Sequence, residues 1–264
     1  MTLLPAFLSG APTVAVIRLQ GAITIGSRGL SDVALAPVIE RAFSRGRPVA
    51  VALQINSPGG SPVQSSLIAA RIRRLAQEKD VPVHAFVEDV AASGGYWLAT
   101  AADRIWVDRG SIVGSIGVIS AGFGLSDLIA KQGIERRIHT AGKSKSQLDP
   151  FQPERPEDVA RLERLLSDLH DYFIAHVKKR RGDWLAEDPE LFSGEFWLGE
   201  RAVALGLADG IAHIVPKMRE LFGEKVRFRR YGQRKGLLAR LGATAVEQAL
   251  GAVEDRATFA RYGL

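Results

Sequence analysis

The sequence predicts an α/β fold organised on a largely parallel sheet. Three observations point there. Short β-rich runs alternate with helical stretches from Val14 to His139, the pattern of crossover units between parallel strands. The 264 residues, 46% of them apolar, are enough to bury a full core. Two of the strand-like runs also close in small-residue turns, one at Asn56–Gly60 and one at Ser93–Gly95, where a chain must turn sharply or come close to another backbone.

Taken in chain order, Val14–Leu19 is a β-rich run and Val33–Ser44 suits a helix. Pro48–Ile55 reads as a buried strand ending at the Asn56–Gly60 turn. Ser61–Gln77 is a long amphipathic helix, with Leu67, Ile68, Ile72 and Leu75 spaced for one face. Val81–Val87 reads as a buried strand and Tyr96–Ala102 as a helix, so Ser93 falls at a strand-to-helix turn. Arg104–Val107 and the run Ile112–Ile119 are β-like, Leu125–Gln132 is helical, and Ile134–His139 reads as a strand. Pro153–Arg181 is the longest helical stretch. Its apolar side is carried by Val159, Leu162, Leu165, Leu166, Leu169, Phe173 and Val177. Gly182–Gly194 is a loop, and Gly199–Leu205 and Pro216–Phe222 are short helices. Gly236–Ala260 is an amphipathic C-terminal helical extension, with Leu237, Leu238, Leu241, Val246, Leu250 and Val253. The expected division is a domain over 1–222 followed by a basic segment and helix over 223–264. There are no repeats and no low-complexity tracts.

The absence of cysteine excludes disulfides, thiolate metal sites and cysteine catalysis. No metal cluster and no cofactor motif stands out. The net charge is +6, from 35 basic and 29 acidic residues. Part of the excess is local. Lys178-Lys179-Arg180-Arg181 closes the long helix, where cations suit the dipole, and it reads as a solvated face. Arg227, Arg229, Arg230, Arg234 and Lys235 form a second basic stretch, which also reads first as a solvated face, with contact to acidic headgroups as the sharper alternative. No nucleic-acid motif accompanies the charge. Residues 1–17 carry no charge, are broken by Pro5, Gly10 and Pro12, and lack the basic start of a secretory signal. The expectation is a cytoplasmic protein that meets the inner membrane, if at all, at its periphery.

With no cysteine and no zinc cluster, the simplest hydrolytic machinery left is a serine activated by a lone base. Ser93 lies in Val90-Ala91-Ala92-Ser93-Gly94-Gly95-Tyr96, and Lys145 lies in Ala141-Gly142-Lys143-Ser144-Lys145-Ser146. A Ser–Lys pair is one known nucleophile and base. By itself Ser-Gly-Gly is more often a cap or a turn. Its place between a strand and a helix is what raises the catalytic reading, because backbone N–H groups at such a turn favour negative charge. Gly94 and Gly95 add no side chain that would block a substrate carbonyl.

These segments, in this order, resemble the signal peptide peptidase A family of serine peptidases (peptidase family S49), a branch of the ClpP/crotonase fold. The likeness covers about residues 13–222. Asn56-Ser57-Pro58-Gly59-Gly60-Ser61 matches the family's glycine loop. Ala92-Ser93-Gly94-Gly95-Tyr96 matches its nucleophile segment, and Gly114-Ser115-Ile116-Gly117-Val118 the segment whose serine touches the lysine. Gly142-Lys143-Ser144-Lys145 matches the base segment. Gly194 to Ala202, followed by Gly206-Leu207-Ala208-Asp209, matches a late helix-and-turn signature. The resemblance implies repeated β-β-α units around a largely parallel sheet; the family's anchored members start with a transmembrane segment, and residues 1–17 read instead as a short form without that anchor. The resemblance implies Ser93 as nucleophile, Lys145 as general base and Ser115 as the residue orienting the amine. The oxyanion and substrate-binding positions are Gly59, Gly60 and Gly94. It further implies hydrophobic peptide substrates, such as signal-peptide remnants or membrane-derived peptides. The last implication is a ring-like homo-oligomer, with the site shared between neighbouring protomers.

A lysine base must surrender its proton near neutral pH, and an ordinary lysine holds it up to a pKa of about 10.4. Burial and nearby cations such as Lys143, Arg136 and Arg137 are the available levers. His139 is the competing base, with Asp103 or Asp108 as third member of a triad. A crotonase-like acyl-CoA enzyme would draft Glu88 or Asp89 as its acid/base and leave the serine and lysine without a use. A non-catalytic scaffold is the remaining class. His84, His170, His176 and His213 are too scattered to form a ligand set.

Overall fold

The computed structural model describes residues 11–26, 29–142, 144–232 and 259–264. The expected extension Gly236–Ala260 therefore lies outside the described residues except for its last two positions, and Lys143 lies outside them as well. The chain divides into one unit of residues 1–116 and 176–264 and a second unit of residues 117–175.

The first unit holds the sheet. Strands β1 (Thr13–Gln20), β2 (Ala50–Ser57) and β3 (Val83–Ala92) are parallel neighbours, joined through helices α1 (Asp32–Ser44) and α2 (Pro62–Lys79). This is the β–α alternation read from the sequence. Strand β2 is buried at nearly every position, as expected of a parallel strand covered on both faces. Each helix begins where its sequence provides a cap. The Ser31 hydroxyl accepts from the Ala34 amide, and the Ser61 hydroxyl accepts from the Gln64 amide, with Pro62 at the first helical position. Ile68, Ile72 and Leu75 of α2 are buried as expected, whereas Leu67 is exposed. Each fully buried side chain of this size stabilises the fold by about 1.5–3 kcal/mol. On the opposite face, Met218 of helix α7 (Ile214–Phe222) packs on Val14, Val16, Ala50, Ala52 and Phe86.

Strand β3 forks the sheet. Its first half, His84–Phe86, pairs with β4 (Arg104–Val107), and its second half, Val90–Ala92, pairs with β5 (Ile112–Gly114). The predicted helix after Ser93 is α3 (Gly94–Ala99), and the run expected over Ile112–Ile119 stays a strand only to Gly114. Three strands were not expected. Strand β6 (Phe196–Leu198) pairs antiparallel with β5, and β7 (Gly210–Ile211) pairs with β4. Strand β8 (Arg227–Tyr231) pairs with the outer side of β1 and ends the sheet. Its arginines belong to the stretch read as a solvated face, with headgroup contact as the alternative. They sit on an edge strand, where charge discourages pairing with another chain.

The basic end of helix α5 (Pro156–Arg181) differs from its expectation as a solvated face. Arg180 donates to the carbonyls of Thr100 and Ala102 at 2.7 and 2.8 Å. Arg181 is 4% exposed, donates to the Gly206 carbonyl and pairs with Asp209 at 3.0 Å. Asp209 also accepts from the Ile105 amide and from Arg104. The Gly206–Asp209 turn is thus a buried electrostatic knot, and the hydroxyl of fully buried Tyr96 donates to Leu207 in the same turn. Helix α6 (Gly199–Ala204) leads into it. Among the described residues, no helix is long and apolar enough to cross a membrane.

His176 stacks on Trp97 with ring centroids 4.2 Å apart, and its Nε2 lies 2.8 Å from the Thr100 hydroxyl. Burial, and after it Arg180 and Lys179, pushes the imidazole down from its ordinary 6.5 to about 4. Between those values the unfolded chain binds a proton that the folded chain does not. Stability is therefore complete above the ordinary value and falls as the pH drops toward 4. The ring is partly exposed, so solvent screening limits the loss to about 1 kcal/mol between pH 6.5 and 5. Urea midpoints across that window should fall more for the native chain than for His176→Phe, which keeps the stack and cannot titrate. Parallel profiles would assign the acid sensitivity to other groups.

The second unit contains α4 (Ser126–Lys131) and the first part of α5. The strand expected over Ile134–His139 is absent. These residues are an irregular, mostly exposed segment. Its β-forming side chains find no neighbouring strand among the described residues, and β-propensity without a partner is weak. The following turn is tied down on both sides of its polar tip. Asp149 pairs with Arg136 at 3.3 Å, and Gln147 accepts from Arg161 at 2.8 Å.

Candidate active site

The C-terminal end of β3 delivers Ser93 into a turn that L residues rarely adopt, with φ 52° and ψ −122°. Such a conformation costs about 1–3 kcal/mol and persists only where its surroundings hold it. Here the Ser93 amide donates to the Gly114 carbonyl at 2.8 Å, and the Ser93 carbonyl accepts from the Trp97 amide at 3.0 Å. The Ser93 hydroxyl makes no capping bond to α3, which leaves Oγ available at the turn.

The glycine loop after β2 is pressed onto this turn. A methyl group at Gly59 would stand 2.9 Å from the Ser93 Cβ and 2.8 Å from the Gly94 nitrogen, and Gly59 has φ 98°. Only glycine fits there. A methyl group at Gly94 would strike the Ser65 hydroxyl and stand 3.3 Å from the Gly60 nitrogen. One at Gly95 would strike the Ser57 carbonyl. The loop is itself pinned to the segment after β1, because the Ile23 amide donates to the Gly59 carbonyl and the Ser61 amide to the Ile23 carbonyl, both at 2.8 Å. Among the described residues, neither the Gly60 nor the Gly94 amide donates a hydrogen bond. Gly60 is exposed.

Ser115 belongs to the same place. Ala92 and Gly114 are register partners, so the residues that follow them, Ser93 and Ser115, leave the sheet side by side. Ser115 also has a positive φ, 53°, and its amide donates to the Glu195 carbonyl at 2.7 Å. Five predicted site residues, Ser93, Ser115, Gly59, Gly60 and Gly94, thus come together in the first unit. Lys145 stands in the second unit, exposed, with its amide donating to the Gly142 carbonyl at 3.3 Å.

The competing assignments lose their carboxylates. Asp103 is engaged by the Val83 amide and by Arg73, at 2.8 and 2.7 Å. Asp108 pairs with His213 at 2.8 Å, and its carboxyl is held below the usual range by the Gly110 amide and then by His213. His139, the base such a triad needs, is an exposed residue of the irregular segment. Glu88 is tied to Gln54 and Asp89 to Asn56. Both carboxylates line a separate cavity of about 550 Å³ that includes Asp108 and His213 and none of the glycine-loop residues.

Two aromatic residues join the site without having been expected. Phe196 of β6 stacks edge-on against Tyr262 with centroids 5.3 Å apart. The Tyr262 hydroxyl lies 3.4 Å from the Pro58 carbonyl and 3.5 Å from the Ser115 hydroxyl. Phe196 was legible within the Gly-Glu-Phe-Trp signature. Tyr262 had no local signal, since it lies far along the chain and beyond the family likeness.

The model of peptidase family S49 matches residues 75–222. The chain is 46% identical, over 271 aligned positions, to a Brucella melitensis protein named Na(+)/H(+) antiporter NhaA, covering 95% of this chain and 37% of that one. It is 32% identical over 210 positions to the chloroplastic serine protease SPPA of Arabidopsis thaliana, covering 76% of this chain and 31% of that one. The chain therefore spans about a third of the length of these two relatives. Among solved structures, a variant of the 1510-N membrane-bound stomatin-specific protease, in complex with a substrate peptide, overlays with a TM-score of 0.54. That match has 16% identity and covers 90% of this chain and 100% of that one, a likeness of fold.

Proposed function

We propose, from the premise that this chain belongs to peptidase family S49, that it is a serine endopeptidase acting through Ser93 and Lys145 on apolar peptides. The observation that carries the reading is the strained Ser93 turn, closed on one side by Gly59 and on the other by the Ser115 segment. In the proposed reaction the Ser93 Oγ attacks the peptide carbonyl while the Lys145 Nζ takes its proton. The Gly60 amide, with the Gly94 amide beside it, donates to the oxyanion. Lys145 then passes the proton to the leaving amine, and water attacks the acyl-enzyme to release the second product and restore Ser93. Ser115 orients the lysine amine.

Apolar substrates suit the surroundings of Ser115, where Val90, Ala92, Ile112 and Phe196 stand close to the reacting turn. Sharing of the site between protomers would cover side chains that a lone chain leaves to water. Val33 and Val63 are exposed on the first turns of α1 and α2, which the Asp32 amide links to Gln64 at 2.9 Å. Ile119, Phe123 and Ile134 are exposed in the second unit. Apolar surface of this kind marks contact sites. Work beside a membrane is supported by the names of the Brucella relative and of the 1510-N protease, one an antiporter and the other membrane-bound.

A fluorophosphonate probe tests the chemistry. The expected result is a single adduct mapped to Ser93, together with a cleavage profile on a peptide library that favours apolar residues at the cut. Acyl-CoA binding with no adduct would move the assignment to crotonase-type chemistry and overturn this one.

A further inference from the structure

Residues 259–264 lie far from the catalytic segments in sequence and against them in space. Phe259 and Tyr262 pack on Val90 and Ala92 of β3 and on Ile112 of β5. These are the strand ends that deliver Ser93 and Ser115. The Tyr262 ring meets Phe196 edge to face, a geometry worth about 0.5–1.5 kcal/mol beyond burial. Its hydroxyl lies between the two loops that flank the nucleophile. It is within reach of the Pro58 carbonyl, next to Gly59, and of the Ser115 hydroxyl, next to Gly114, whose carbonyl receives the Ser93 amide. An apolar ring with a polar tip is thus seated beside the turn that carries Ser93.

We infer that the Phe259–Tyr262 segment is an internal occupant of the peptide groove, an aromatic plug that a substrate must displace before it reaches Ser93. This rests on the assignment of Ser93 as the reacting residue. The ligand class follows from the contacts. The subsite takes a large aromatic side chain carrying a hydroxyl, lying on the apolar strand ends and Phe196 with its tip toward Pro58 and Ser115. If nine chains in ten hold the plug in place, the apparent affinity for a competing peptide falls about tenfold, in proportion to the open fraction.

The test uses the whole chain with Tyr262→Ala and, separately, Phe259→Ala. Both are expected to raise kcat/KM on an apolar fluorogenic peptide by up to about tenfold, mainly through KM, and to speed fluorophosphonate labelling. A second measurement needs no catalysis. A labelled peptide with the sequence of residues 259–264, followed by fluorescence anisotropy, should bind the Ser93→Ala, Tyr262→Ala double variant more tightly than Ser93→Ala alone. The same peptide with its tyrosine changed to alanine should bind neither. Unchanged or slower rates in both single variants, or equal peptide binding by the two Ser93→Ala chains, overturn the plug. Absence of any adduct at Ser93 in every variant overturns the Ser93 assignment instead, and the anisotropy result still decides whether the groove is occupied.

Discussion

Ser93→Ala should lower peptide hydrolysis by about 10⁴-fold or more while leaving the thermal midpoint close to that of the native chain. The chemical half of the expectation follows from the proposed mechanism. With no Oγ there is no acyl-enzyme, and Lys145 has no proton to take. What remains is whatever the Gly60 and Gly94 amides can do for a water molecule. The structural half follows from the contacts. The turn is held by the Ser93 backbone, through its bonds to Gly114 and Trp97, and by Gly59 against it. The hydroxyl makes no cap bond to α3, so its loss removes no structural hydrogen bond there. Turnover on a fluorogenic peptide and a melting curve on the same purified sample are sufficient. Cleavage persisting at the native rate in the variant would end the assignment of Ser93.

The parts of this molecule that were legible in the sequence are those whose signal is local. The first three strands and two helices announce themselves through their β-rich runs and apolar spacing, while the caps at Ser31 and Ser61 emerge in the structure. The Ser93 turn and the glycine loop are legible because each needs several small residues in succession. What escaped depends on distant partners. Strands β6 and β7 span three and two residues, too few to show a period, and exist because β5 and β4 offer free edges. The residues of β8 read as a basic stretch because an edge strand tolerates arginine. Arg180 and Arg181 read as a solvated helix end, yet their guanidinium groups serve carbonyls of the Thr100–Ala102 and Gly206 turns. Ile134–His139 failed in the opposite direction, with the side chains of a strand and no partner. Tyr262 shows the limit most plainly. No pattern in a lone aromatic residue tells that its ring lies beside Ser115.

Lys145→Ala should be as inactive as Ser93→Ala, and the two inactive chains should rescue each other when they assemble together. Lys145 stands in the unit of residues 117–175, while Ser93, Ser115 and the glycine loop stand in the other. In the single chain Lys145 is exposed. A lysine that must shed its proton near neutral pH is served by dry surroundings, and the surface of a neighbouring protomer laid over this turn would supply them. Closed cyclic symmetry makes every interface alike, so each Ser93 could meet a neighbour's Lys145. Under random mixing of equal amounts, roughly a quarter of the sites in a symmetric ring then combine an intact Ser93 with an intact Lys145. About a quarter of the native activity should return. His139→Ala and Lys143→Ala should retain most activity on their own, which separates the proposed base from its neighbours. If the pair forms within one chain, no mixed site is complete and the mixture stays as dead as its parts. Mixed assemblies verified by mass and showing no recovered turnover would therefore sink the shared site, and a His139→Ala loss as deep as that of Lys145→Ala would reassign the base.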